Sequence, residues 1–92
     1  MKIGTILRNL WAGYETYVIY LGHPVRSGRS EPPKVGVYNI VNVDGQWRVR
    51  KSVYYRRDLD DREHYPVVGY IDMEEQKNRF IADVLKAAGA GE

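Results

Sequence analysis

Val35-Gly36-Val37-Tyr38-Asn39-Ile40-Val41-Asn42-Val43-Asp44-Gly45-Gln46-Trp47-Arg48-Val49-Arg50-Lys51-Ser52-Val53-Tyr54-Tyr55 reads as two extended segments around an Asp-Gly turn. β-Branched and aromatic residues suit a pleated, half-buried surface. Asp-Gly between two such runs is a strong short-range hairpin signal. The strands therefore cover residues 35–43 and 46–55. Two registers compete. A two-residue loop pairs Val43 with Gln46 and Val41 with Arg48, which sets apolar beside polar residues on both faces. A three-residue loop, with Gly45 in the left-handed region as a bulge, puts Val41 opposite Trp47, Asn39 opposite Val49, Val37 opposite Lys51 and Val35 opposite Val53. That register sorts the hairpin into one largely apolar face and one polar face. It is the expected one.

Working outward, Glu15-Thr16-Tyr17-Val18-Ile19-Tyr20-Leu21 is apolar on both faces and reads as a central strand over 15–21. Residues 3–9 form an opening strand, although Ile3, Ile6, Leu7, Leu10 and Trp11 also fall at helical spacing. Between residues 22 and 34, three prolines and several small polar residues predict a long basic loop. Downstream, residues 56–64 form a charged connector with room for one helical turn. Residues 66–71 make a short strand, and Pro66 at its start favours a sheet edge. The last element is a helix over 73–88. Asp72 is its N-cap, with Glu75 completing a capping box. Met73, Phe80, Ile81, Val84, Leu85 and Ala88 form one apolar stripe, and Gly89 ends the helix. The fold class is α+β: a small, strongly bent antiparallel sheet of about five strands, an SH3-like partial barrel, packed by one C-terminal α-helix.

The chain has 92 residues, enough for a single domain over 1–92 with one core. Its 43% hydrophobic and 28% charged content belongs to a globular chain. With no cysteine, disulfide scaffolds, thiol catalysis and Cys-based zinc sites are excluded. Tyr17 to Leu21 is far too short an apolar run to cross a bilayer, and Met1-Lys2 leads into no signal-peptide apolar region. The expectation is a cytoplasmic protein with no membrane partner. Charge is uneven. Residues 22–57 hold eight Lys/Arg against two acids, and residues 58–92 hold four against nine, within a net charge of +2.

The wording Arg8-Asn9-Leu10-Trp11-Ala12-Gly13-Tyr14-Glu15-Thr16-Tyr17, together with Pro66-Val67-Val68-Gly69-Tyr70-Ile71-Asp72, resembles small uncharacterised proteins encoded in prophages and mobile elements of gut Firmicutes. That group brings no activity with it. The resemblance implies a context, in which small accessory proteins bind host or phage macromolecules.

Catalysis has little to stand on. Ser27, Ser30 and Ser52 with His23 or His64 supply residue types without an arrangement. Asp58, Asp60, Asp61, Glu63 and His64 are oxygen-rich, but a calcium loop needs alternating ligands around a glycine. None occurs here, and Arg62 competes for the carboxylates. No enzyme, cofactor or metal is expected. Binding is better served. On the polar hairpin face Arg48 and Arg50 interleave with Tyr38 and Tyr54, and Tyr55-Arg56-Arg57 adjoins them. Arginine for phosphate beside tyrosine for base stacking suits single-stranded nucleic acid. Tyr, Trp and Arg also anchor protein interfaces. A nucleic-acid binder depends on surplus positive charge, which the acidic C-terminal part offsets. A protein partner is therefore the leading expectation and nucleic acid the alternative. Trp11, Tyr14, Arg26, Arg29 and Lys34 are secondary candidates, each with an ordinary structural use as barrel-end packing or solvated loop.

Overall fold

The computed structural model describes residues 1–25, 28–73 and 80–89. Among these residues seven elements follow one another: β1 (Thr5–Arg8), β2 (Thr16–Val25), β3 (Lys34–Val43), β4 (Gln46–Tyr55), α1 (Arg56–Leu59), β5 (Val67–Tyr70) and α2 (Phe80–Ala87). The strands form one sheet in the order β4-β3-β2-β1-β5, and every neighbouring pair is antiparallel. Strands β1 to β4 are a meander, and β5 returns to the outer side of β1. The α+β class, the five strands and the C-terminal helix are as the sequence predicts. The sheet does not close, because β4 and β5 are its two edges.

Both faces of the sheet are covered. On one, Ile6, Tyr17, Ile19 and Ile40 meet Val84 and Leu85 of α2, with Tyr38, Trp47 and Phe80 packed against them. On the other, Leu7, Val18, Tyr20, Val35 and Val37 meet Leu59 of α1 and Tyr65, with Tyr54 alongside. Strand β3 is thus buried on alternate sides along its length, which is how a central strand comes to read as nearly continuous apolar sequence. Close approach of α2 depends on Gly69. A Cβ there would run into the backbone carbonyl of Ala87.

The hairpin register corrects the sequence reading. Val43 pairs with Gln46, Asn42 with Trp47, Val41 with Arg48 and Ile40 with Val49. The loop has two residues. Asp44 and Gly45 have φ of 53° and 81°, and positive φ at both central positions is the type I′ turn that matches the right-handed twist of the strands. The three-residue loop is the expected one because it gives one apolar and one polar face. That criterion fails here because β3 is buried on both faces while β4, at the edge, is largely exposed on both, so paired residues need not match in polarity. Trp47, which the three-residue register sets on the apolar face, is half-buried at the margin of the core, 6.0 Å from the Tyr17 ring.

Strand β2 continues to Val25, into the segment predicted as loop. A register shift between Tyr20 and Pro24 absorbs His23-Pro24, and Gly22 there has φ of 74°. Proline is tolerated at such a bulge because it owes the ladder no hydrogen bond. Residues 56–59 make the anticipated helical turn. Gly89 closes α2 with φ of 77°, its amide donating to the Lys86 carbonyl. The Glu75 half of the capping box lies outside the described residues. No described helix is long and apolar enough to cross a membrane.

Candidate functional site

Backbone parity decides what β4 presents. In an antiparallel pair, alternate residues direct their N–H and C=O toward the partner or away from it. A two-residue loop makes Val43 and Gln46 a hydrogen-bonded pair, so Gln46, Arg48, Arg50, Ser52 and Tyr54 direct their backbone groups to β3. The far end agrees, since the Arg56 amide donates to the Pro33 carbonyl at 3.0 Å. The near end agrees too, since the Asn42 amide turns to β2 and donates to the Glu15 carbonyl at 3.0 Å. Trp47, Val49, Lys51, Val53 and Tyr55 consequently present their backbone groups outward along a ten-residue edge. A free edge is a template for pairing with another chain.

The charged side chains along that edge are all basic. Arg48, Arg50 and Lys51 are exposed, and among the described residues no carboxylate pairs with any of the three. Arg48 donates to the Gln46 side-chain oxygen at 3.1 Å, so even this bond stays on the strand. Val49 and Val53 are 39% and 46% exposed. No acid occurs between Gln46 and Arg57.

The predicted arginine–tyrosine face is not assembled as expected. Arg48, Arg50 and Tyr54 share one face, but Tyr38 pairs with Lys51 on the other, where its ring meets Phe80 edge-on at 5.6 Å. Tyr54 is held inward. Its hydroxyl accepts from the Asn9 amide nitrogen at 3.1 Å and donates to the Asn39 side-chain oxygen at 3.2 Å. Its ring stands edge-on to Tyr65 at 5.9 Å. Burial is the main cause that raises the Tyr65 phenol above its ordinary value, with Tyr54, Asp58 and Asp61 adding to it. Neither Tyr38 nor Tyr54 offers an open ring beside the arginines.

At the end of β4 a different grouping forms. The Tyr55 ring lies 5.3 Å from the Lys34 ammonium and 5.3 Å from the Arg57 guanidinium. Lys34 also pairs with Glu31 at 2.8 Å, and that hydrogen bond lowers the Glu31 carboxyl and raises the Lys34 ammonium. Arg56 and Arg57 are exposed, and Arg57 sits 3.8 Å from Asp58. Arg29 is exposed in the loop. Arg26 lies outside the described residues.

Trp11 and Tyr14 occupy the β1–β2 connection, away from the β4 edge. They are 65% and 54% exposed, so they do not fill an end of the sheet. Trp11 stacks on His64 with centroids 4.1 Å apart, above a cleft shared with Asp58, Asp61 and Tyr65. Asp61, Glu63 and His64 bring three potential metal-ligand atoms together. Their bonds serve the turn itself: one Asp61 oxygen accepts the Glu63 amide at 3.1 Å, and the other lies 2.7 Å from His64 Nδ1. The His64 contact is the largest cause holding the Asp61 carboxyl below its ordinary value.

Sequence reasoning missed Lys51, Val49 and Val53 as edge residues, because the assumed register placed all three on the apolar face. The signal that finds them is the place of β4 at the sheet edge, where alternate residues turn their backbone groups away from β3. Set against protein-family models, curated proteins and solved structures, the chain matches none.

Proposed function

We propose that the chain is a small non-enzymatic binding module whose β4 edge adds an acidic, extended segment of a protein partner as a sixth strand. One observation carries this: a ten-residue edge strand, unpaired on its outer side among the described residues, bearing Arg48, Arg50 and Lys51 with no acid among them. Main-chain hydrogen bonds supply affinity in strand addition, and side chains in alternate positions supply specificity. Residues facing Arg48, Arg50 and Lys51 are acidic, and those facing Val49 and Val53 are apolar. A second copy is a poor occupant, because antiparallel pairing of two β4 strands sets like charges against each other. An accessory role in a mobile element, and the curl of an SH3-like partial barrel, belong to the same reading.

Nucleic acid is the weaker alternative. Base-stacking platforms need aromatic faces open to the ligand. The ring of Tyr38 is packed on Phe80, and the hydroxyl of Tyr54 is committed to Asn9 and Asn39.

The test is an NMR titration of the whole chain with a glutamate–valine alternating peptide and, separately, a single-stranded oligonucleotide of equal charge. The expected outcome is movement of the Val49, Lys51 and Val53 amides with the peptide, abolished by Arg48→Glu with Arg50→Glu. Tight oligonucleotide binding at physiological salt, lost in the same double variant, would reverse the ranking.

A further inference from the structure

Beside the β4 edge, on the face that α2 covers, lies an apolar groove of about 270 Å³. Leu21, His23, Val25, Gly36, Tyr38 and Val53 line it. Its floor is open because Gly36, the partner of Val53, has no side chain. Tyr38, on its inner wall, meets Phe80 of α2 edge-on at 5.6 Å. Val53, on its outer wall, is 46% exposed. The volume falls just under the roughly 300–1,000 Å³ of small-molecule sites, and suits one large side chain better than a free ligand.

We infer that this groove is the specificity pocket of the β4 edge, and that it takes a long apolar side chain, aromatic for preference, from the acidic strand that pairs with β4. The inference rests on the edge-pairing reading above. Val53 directs its backbone outward, so an incoming residue paired with it projects on the same face as the groove. Cross-strand diagonals of about 7–8 Å lie within reach of aromatic and long side chains, so such a residue leans over Val53 to the space above Gly36. A short side chain does not span that gap. Lys51 flanks the mouth and favours an acidic neighbour in the same strand. The occupant is thus an extended acidic segment with one large apolar residue.

Gly36 makes the inference separable from the fold. Its φ lies outside the left-handed region, and an added Cβ meets His23 Cβ at 3.5 Å and the His23 carbonyl at 3.7 Å, both ordinary contacts. Gly36→Ala is accommodated, and Gly36→Val fills the floor further.

The experiment measures the affinity of the whole chain for a short glutamate-rich peptide carrying one phenylalanine and for the same peptide with alanine in its place. The phenylalanine peptide is expected to bind about tenfold more tightly, as burial of a large apolar group implies. That advantage shrinks in Gly36→Ala and vanishes in Gly36→Val, while the alanine peptide binds all three proteins alike. Amide spectra establish that each variant is folded, and if Gly36→Val is not, Gly36→Ala decides alone. Equal affinity for the two peptides, or an advantage unchanged by Gly36→Ala, overturns the pocket while leaving edge pairing intact. If neither peptide moves the Val49, Lys51 and Val53 amides, edge pairing fails and the pocket fails with it.

Discussion

Two glycines separate two physical reasons for having no side chain. Gly45 has φ of 81° and open space around its missing Cβ. Its replacement by alanine meets only the left-handed backbone penalty, about 1 kcal/mol. Gly69 has no such backbone requirement, but a Cβ there collides with the carbonyl of Ala87 in α2. Backbone cannot step aside as a side chain can, so Gly69→Ala is expected to cost about 1–3 kcal/mol as overpacking. Chemical denaturation of the two variants checks the order, and a Gly69→Ala cost smaller than that of Gly45→Ala would show that α2 yields easily. Gly45 was legible in the sequence, because Asp-Gly between two strands announces a turn. Gly69 was not. Its role depends on a helix some twenty residues away in the chain, and no local pattern encodes that approach.

For the elements, loop length governs more than the turn itself. The two-residue loop fixes which amides of β4 are bonded and which are free. Hydrogen exchange should therefore alternate along the strand: Arg48, Arg50, Ser52 and Tyr54 slow, Val49, Lys51 and Val53 fast. Uniform protection along β4 would mean that the edge is already paired. Cross-strand contacts placing Asn42 rather than Val43 opposite Gln46 would restore the three-residue loop. Hydrophobic patterning located both strands of the hairpin within a residue, because β-branched runs and an Asp-Gly turn are local properties. Patterning failed on register because it assumed that paired residues match in polarity, whereas buried Val41 faces exposed Arg48. Tyr38 was misplaced with it, and so was the binding surface built on Tyr38. Strand β2 outran its expected end for a related reason: proline argues against a strand only where its missing N–H is needed, and at Pro24 a bulge removes that need.

At the scale of the molecule, one sheet carries two apolar clusters, and each cluster needs the same strands. Ile40 is fully buried under α2, and Leu59 is 1% exposed on the opposite side. Because the two share β1, β2 and β3, the layers are expected to melt together. Ile40→Ala and Leu59→Ala should each cost about 2–5 kcal/mol and shift one common transition, seen alike by circular dichroism and by tryptophan fluorescence. Separate transitions in the Leu59→Ala protein would make the α1 side an independent layer. The sequence made α2 visible through its stripe of Phe80, Val84 and Leu85. It hid the second cover, since Leu59 and Tyr65 are single apolar residues in a charged connector. The strand order also has a consequence for synthesis on the ribosome. Strands β1 to β4 can pair as they emerge, but β5 and α2 follow later in the chain, so for an interval Ile6, Ile19 and Ile40 have no cover. During that interval the nascent sheet is an aggregation hazard, and Arg48, Arg50 and Lys51 on its open edge act as gatekeepers against sister chains on the same message. The charges proposed to select a partner for the finished protein would thus guard it before it is finished.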